Sequence, residues 1–215
     1  MTDFYIAFDN EDEVLGAYFV KCMEDLKAFL ENSGLSLKVV FINSRLSTSA
    51  YLETVLTDRQ ERFFFIVYSH GNRVSLKGRH GQFIEVNLNT SLFVNSFFYC
   101  TACLCAHSLG SKIIEDGGLT FIGYSTEVYS LKEEYEEISM KCDNSGLQAY
   151  LSEDITAQQA LDKMKNYYTF QINRIYCTKD ILRAGLLTNA RESLILKGNG
   201  NLRFSEMNYD AAPIA

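Results

Sequence analysis

Residues 63–71 read Phe-Phe-Phe-Ile-Val-Tyr-Ser-His-Gly, an unbroken apolar and aromatic run that stops at a serine, a histidine and a glycine. A run without polar alternation predicts a strand that is buried on both faces, as in the parallel sheets of α/β proteins. A second run, residues 97–102, leads directly into Cys103. Because the carboxyl ends of parallel strands meet at one edge of a sheet, we expect His70 and Cys103 to lie at the same edge.

Strand and helix patterns alternate on both sides of these two runs. The repeated alternation predicts a doubly wound, mostly parallel α/β sheet flanked by helices, which is a three-layer sandwich. Glycines in residues 72–86 and a polar-apolar alternation predict a hairpin outside that sheet. The other predicted elements are strands at 4–8, 37–42 and 119–124, helices at 14–30, 47–56 and 107–116, a long helical segment at 156–187 broken near 177, and a turn at 198–200 between short apolar runs.

The length and composition of the chain fit one domain. It has 215 residues, of which 47% are hydrophobic, so we expect a single packed core over residues 1–215. Residues 126–146 are rich in acidic side chains and are interpreted as an insertion into that domain. Residues 205–215 are interpreted as a loose C-terminal tail.

Charge and hydropathy exclude several classes of protein. The net charge of −7 leaves no basic stripe for nucleic acid. The N-terminus has no basic and apolar leader, and no apolar run approaches the ~18 residues of a membrane span, so we expect a cytoplasmic protein that does not bind membranes. The six cysteines do not form the dense framework of a small secreted domain and are expected to be reduced thiols.

His70 and Cys103 have the chemistry of a cysteine nucleophile and its base. A thiolate is the reactive form of cysteine, and a base close in space can generate it even when the two residues are distant in sequence. Gly71 follows the base and leaves its backbone amide accessible, which suits a donor to an oxyanion. The pattern indicates a Cys-His dyad at the end of two neighbouring strands.

Other residues of the same kinds provide alternatives. Cys100 is the rival nucleophile, although burial inside a strand raises the pKa of a thiol. His80, on the predicted hairpin, is the first alternative base, and His107 is the second. Cys100, Cys103, Cys105 and His107 also form a C-x2-C-x-C-x-H cluster that is conceivable as a zinc site, but a strand would point Cys100 and Cys103 in opposite directions, so we expect no metal.

Three segments resemble a known group of peptidases. Residues 65–71 are similar to the strand-His-Gly element of the caspase and gingipain clan, and residues 98–103 are similar to its strand-Ala-Cys element. Residues 189–204 resemble the closing element of bacterial CHAT peptidases, the branch that is also similar to separase, although the Asp-Pro pair of that element is absent. The resemblance extends over residues 4–205 and implies a caspase-like fold.

The resemblance also assigns roles to individual residues. It implies that His70 is the base, that Cys103 is the nucleophile, and that the amides of Gly71 and Cys103 form the oxyanion hole. It places Asp9 in the first specificity pocket, where a carboxylate would favour a basic side chain. No arginines occur at the positions by which caspases recognise aspartate, so aspartate specificity is not expected. The residues implied to line the substrate cleft are Thr101, Ser125, Thr126 and Glu127.

These observations predict a cysteine endopeptidase that cleaves a specific protein and needs no cofactor. The chain has no recognisable regulatory segment, so we expect a separate activating or sensor protein, and the CHAT resemblance implies a bacterial defence or cell-death pathway. The alternative function is a catalytically silent scaffold that binds proteins through its cleft or through the acidic residues 133–137. A nucleotide-binding protein is disfavoured because residues 9–15 contain no glycine-rich phosphate loop.

Overall fold

A six-stranded sheet organises the computed structural model, which describes residues 2–57 and 59–207. Its strands are β1 (Thr2–Phe8), β2 (Leu37–Ile42), β3 (Phe63–Tyr68), β7 (Ser96–Cys100), β8 (Thr120–Tyr124) and β9 (Leu194–Gly198). Their order in the sheet is β2-β1-β3-β7-β8-β9, and every neighbouring pair is parallel except β8 and β9. Because β1 has neighbours on both sides, the chain winds outward from it in both directions.

Helices cover both faces of the sheet and complete the three layers. The helices are α1 (Gly16–Asn32), α2 (Ser49–Leu56), α3 (Ser108–Glu115), α4 (Glu136–Glu153), α5 (Ala157–Cys177), α6 (Ile181–Ser193) and a short α7 (Phe204–Met207). One core contains residues of α1, α4, α5 and α6, and the other contains residues of α2 and α3. The predicted fold class, a mostly parallel α/β sheet flanked by helices, is confirmed.

Alternation along the strands divides the aromatic residues between the two cores. In β3, Phe64, Ile66 and Tyr68 belong to the first core, whereas Phe63 and Phe65 belong to the second. Successive side chains of a strand point to opposite faces, so a strand without polar residues can fill both layers at once. This is the physical reason for the apolar run that precedes His70.

A small second sheet lies beside the carboxyl end of the main one. It contains β4 (His70–Gly71), β5 (Ser75–Gly78) and β6 (Gly81–Glu85), all antiparallel. The hairpin expected at 72–86 is therefore present as β5 and β6, and His70 begins β4, the strand that pairs with β5. His70 thus lies at the junction of the two sheets.

Three details differ from the sequence interpretation. Residues 136–146, part of the expected acidic insertion, form the first half of α4, whose inward face is buried against α1. The apolar run at 202–204 that follows the expected turn does not pair with β9, because Arg203 bridges Thr156 and Phe204 begins α7. Of the expected tail, 205–207 belong to α7, and 208–215 lie outside the described residues. Among the helices that the structure describes, none is long and apolar enough to cross a membrane.

Candidate active site

His70 is held by a carboxylate and by an aromatic ring. Its Nε2 atom lies 3.1 Å from Oδ2 of Asp12, and its ring packs edge-on against Phe19 with 5.6 Å between the centroids. Its side chain remains one-third exposed. The contacts fix the orientation of the imidazole and leave one edge of the ring accessible.

Asp12 lies in the loop between β1 and α1 and also caps the turn that enters the helix. Its Oδ1 atom accepts hydrogen bonds from the amides of Val14 at 2.9 Å and Leu15 at 2.6 Å. Burial alone would raise the pKa of Asp12, but these two amides and the nearby His70 together lower it below its ordinary value. Asp12 is therefore a carboxylate at neutral pH, able to orient a histidine and to stabilise its cation.

Cys103 follows β7 in a tight turn that is bonded to the segment after β8. Leu104 has a φ of +58°, a left-handed conformation that is rare for a residue with a branched side chain. Its amide donates to the carbonyl of Thr126 at 3.0 Å, and the amide of Ala106 donates to the carbonyl of Tyr124 at 3.0 Å. These bonds hold the strained turn in place, and such strain is frequent at functional sites.

A loop covers the sulfur of Cys103. The amide of Val128 donates to Sγ at 3.4 Å, and the thiol lies 3.4 Å from the carbonyl oxygen of the same residue. Burial raises the pKa of the Cys103 thiol, and although the Val128 amide lowers it, Cys105 and Glu127 raise it further. Within the described residues no hydrogen bond joins Cys103 to His70. The raised pKa favours the thiol form of Cys103 in this arrangement.

His70 and Cys103 nevertheless line the same pocket. The pocket opens between the ends of β3, β7 and β8, and Thr101 is also part of its wall. Gly71 packs against the turn that carries Cys103, because a Cβ atom at this position would lie 2.8 Å from Cβ of Ala102. The carboxyl edge of the sheet thus brings together both residues of the expected dyad.

The floor of the pocket is a buried carboxylate surrounded by tyrosines. Oδ1 of Asp143 accepts hydrogen bonds from Tyr124 at 2.5 Å and from Tyr168 at 2.9 Å, and Oδ2 accepts one from Tyr18 at 2.7 Å. Burial raises the pKa of Asp143, and the three hydroxyl donors oppose that increase only in part. The described residues that line this pocket include no lysine or arginine. The Asp143 carboxyl group therefore has no lysine or arginine partner among the residues that line the pocket.

The other predicted substrate residues, Asp9, Ser125, Thr126 and Glu127, do not line this pocket. Asp9 is 2% exposed beneath the small sheet, bonded through Oδ1 to Ser44 at 2.6 Å, and it does not line the pocket. Ser125 donates through its amide and hydroxyl to the carbonyl of Ser193. Thr126 and Glu127 are exposed at the start of the covering loop.

The alternative nucleophile and bases have other partners. Cys100 is buried, and burial raises its pKa well above the ordinary value. His80 pairs with Glu11 at 2.9 Å, and His107 lies 2.6 Å from the carbonyl oxygen of Ser125. Over residues 2–57 and 59–207, no three histidine, cysteine or acidic side chains are grouped as metal ligands.

Sequence reasoning missed three residues of this site. Asp12 was recognisable only as part of a polar strand end, Asp143 was assigned to the acidic insertion, and Val128 carried no signal. For Asp143 a signal did exist, since Cys142, Gly146 and Tyr150 recur at helical spacing and are buried.

Comparisons with known proteins place this site in a familiar fold. The structure resembles the Arg-specific cysteine proteinase gingipain R with a TM-score of 0.60 and 11% identity, over 94% of this chain and 47% of the other. It also resembles iotapain, a secreted C11 cysteine protease from Bacteroides thetaiotaomicron, with a TM-score of 0.52 and 12% identity, over 78% of this chain and 62% of the other. No family model and no curated protein matches the sequence.

The fold is therefore the caspase-like α/β fold of these cysteine proteases. The chain spans about half the length of the gingipain chain and less than two thirds of the iotapain chain. At such low identity the likeness concerns the fold, and the chemistry has to be argued from the residues of this chain.

Proposed function

We propose that this chain is a cysteine endopeptidase with Cys103 as nucleophile and His70 as general base. The observation that supports it most is that both side chains line one pocket at the carboxyl ends of adjacent parallel strands. A site formed where neighbouring strands end is the usual location for catalysis in an open α/β sheet. The cysteine protease neighbours share this fold.

The contact with Asp12 supports a different role for each ring nitrogen of His70. With Nε2–H of His70 directed at the Asp12 carboxylate, Nδ1 carries the lone pair that removes the thiol proton. The sulfur then forms a bond to the scissile carbonyl carbon, and the carbonyl oxygen becomes an oxyanion held by the amides of Gly71 and Cys103. The C–N bond breaks as the imidazolium protonates the leaving amine. Water afterwards hydrolyses the thioester and releases Cys103.

The carboxyl group at the floor of the pocket supports a preference for a basic substrate residue immediately before the scissile bond. A guanidinium or ammonium group that enters the pocket would supply the cation that Asp143 lacks, and the hydroxyl oxygens of Tyr18, Tyr124 and Tyr168 can accept its remaining hydrogen bonds. One structural neighbour is named for arginine specificity. We assign the specificity acid to Asp143 rather than to Asp9, because Asp9 does not line the pocket.

The covering loop supports control by a partner. The backbone amide and carbonyl of Val128 both lie 3.4 Å from the Cys103 sulfur that a substrate must reach, and Asn189 donates to the carbonyl of Glu127 at 2.9 Å and so anchors the loop to α6. We propose that an activating protein releases this loop and that the cleaved substrate is a specific protein. The bacterial defence or cell-death setting rests on the CHAT resemblance of residues 189–204.

Thiol labelling at defined pH tests the dyad. Iodoacetamide is applied between pH 5 and 9 to the wild type, to His70→Ala and to Asn189→Ala, and the modified cysteines are identified by mass spectrometry. Cys177 is an exposed free thiol and serves as the internal reference. We expect Asn189→Ala to label Cys103 several-fold faster than the wild type, with His70 required for labelling below pH 7.

Peptide hydrolysis after Arg or Lys is then measured for wild type, Asn189→Ala and Cys103→Ala. We expect faster hydrolysis by Asn189→Ala than by the wild type, whose loop still covers Cys103, and none by Cys103→Ala. If Asn189→Ala and the wild type label Cys103 no faster than Cys177 and hydrolyse no peptide, the endopeptidase assignment is wrong. The scaffold that binds proteins through the cleft would then be the better description.

A further inference from the structure

A second concavity adjoins the catalytic pocket on the other side of the covering loop. It lies between residues 129–132 of that loop and the first turns of α6, and its walls include Leu182 and Leu186 from the helix. Tyr129 and Ser130 line both this concavity and the catalytic pocket. We call it the α6 groove. A polypeptide that extends from Cys103 across Tyr129 would therefore enter the groove directly.

The side chains of the α6 groove are suited to an apolar ligand. Leu182 is 75% exposed and Tyr129 is 58% exposed, which are high values for large apolar side chains. The charged residues at its rim are Lys132, Asp180 and Arg183, and Arg183 pairs with Asp180 at 2.6 Å and lies over the ring of Tyr135. The groove thus differs sharply from the catalytic pocket, whose floor is a carboxylate.

The backbone between the two pockets is free to bind an extended chain. In the part of the chain that the structure describes, the amide and carbonyl groups of Tyr129 and Ser130 have no hydrogen-bond partner. Unpaired backbone groups on an exposed segment can pair with an added peptide strand, while pockets on either side of it select side chains. These groups would set the direction of the peptide, and the groove would receive one of its side chains.

We propose that the α6 groove is a second specificity subsite that binds a large apolar side chain of the substrate, within a few residues of the scissile bond. The proposal rests on the proposed endopeptidase function and adds to it. Together the two pockets select a substrate segment that carries one basic and one large apolar residue. An activating protein and a second copy of this chain are the competing occupants of the groove.

Two adjacent, exposed apolar residues on α6, Ile181 and Leu182, provide a matched test. Leu182→Gln alters the groove, whereas Ile181→Gln changes a neighbouring residue that is 69% exposed and does not line it. Both side chains are largely in solvent, so both variants should fold, which circular dichroism and thermal unfolding verify. Each substitution is introduced with and without Cys103→Ala, so that peptide binding and peptide cleavage are measured separately.

Fluorescent peptide libraries with one fixed Arg are varied at each position on both sides of it. We expect binding to the Cys103→Ala protein to favour Leu, Phe or Met at one position. That preference should fall about tenfold in Leu182→Gln and stay unchanged in Ile181→Gln. Light scattering measures the oligomeric state of each variant in parallel.

The outcomes separate this inference from the proposed function. Cleavage without an apolar preference, or an equal loss in the Leu182 and Ile181 variants, would refute the subsite and leave the endopeptidase intact. Peptide binding with the expected preference but no cleavage by any protein that retains Cys103 would refute the endopeptidase and leave the subsite intact. Two further results would also overturn the subsite. One is a wild-type dimer that Leu182→Gln dissociates without any change in peptide preference. The other is an absence of peptide binding.

Discussion

Replacement of Asp143 by asparagine should separate stability from specificity. The amide has the shape of the carboxylate and keeps a carbonyl oxygen to accept from Tyr124 and Tyr168, while the hydroxyl of Tyr18 can rotate to accept from the new NH2 group. The substitution therefore removes the negative charge and little else. It imitates the protonated state of Asp143.

The effect on stability follows from the raised pKa of Asp143. A carboxyl group whose folded-state pKa is raised contributes stability at low pH, and that contribution is lost as the pH rises through the folded pKa. Each unit of increase corresponds to about 1.4 kcal/mol. Asp143→Asn should match the wild type at acidic pH and exceed it near pH 7, as measured by urea unfolding across pH.

Although Asp143→Asn should stabilise the fold near pH 7, it should lower the catalytic efficiency. Removal of one member of a desolvated ion pair costs about 3 kcal/mol, which is about a hundredfold in kcat/KM for a peptide with Arg before the cut. Citrulline has nearly the shape of arginine without its charge, so the ratio of kcat/KM for the two peptides isolates the ion pair. That ratio should be large for the wild type and near one for Asp143→Asn.

Asp25→Asn is the matched control for this substitution. Asp25 also lies between α1 and α4, where it accepts hydrogen bonds from Asn144 and Gln148, but it does not line the catalytic pocket. Its variant should keep the wild-type ratio of arginine to citrulline. If Asp143→Asn keeps that ratio as well, or is less stable than the wild type near pH 7, Asp143 is a structural residue and the reasoning fails.

The remaining predictions concern the base and the turn beside it. Asp12→Asn should lower kcat about tenfold to a hundredfold, because His70 loses the carboxylate that orients it. The variant should also lose less stability than the wild type on acidification, because the lowered pKa of Asp12 contributes stability that disappears as the pH falls through it. A wild-type kcat would exclude a positioning role. Gly71→Ala should reduce the free energy of unfolding by about 1–3 kcal/mol, since the new Cβ would meet Ala102 at 2.8 Å, whereas Gly185→Ala, with open space around it, should increase it by about 0.5–1 kcal/mol. Urea unfolding compares the two, and equal effects would contradict the close contact at Gly71.

The predictable part of the fold was the part set by continuous local patterns. The strand expected at 37–42 is β2 with the same bounds, and the helices expected at 14–30 and 107–116 are α1 and α3 with ends shifted by one or two residues. All three predictions depend on the spacing of apolar residues within the segment itself. The shared location of His70 and Cys103 followed from a general property of parallel sheets.

The parts that could not be predicted depend on contacts between distant segments. The acidic composition of residues 133–137 did not indicate the buried helix α4, because a charged first turn says little about which face the following turns bury. Asp12 contacts a histidine 58 positions later, and the position of Val128 beside Cys103 depends on the path of an irregular loop. Such loops carry no periodicity from which a contact could be inferred.

Burial is the common cause of the two raised pKa values in the pocket. It disfavours the carboxylate of Asp143 and the thiolate of Cys103 together, because both anions lie where little water can reach them. A basic side chain that enters the pocket would introduce a positive charge close to both groups and would favour both anions. Under the proposed function, the substrate that Asp143 selects therefore also helps to ionise the nucleophile. An uncharged ligand of the same shape would occupy the pocket without that benefit, so specificity for a cation and activation of the thiol have the same electrostatic origin.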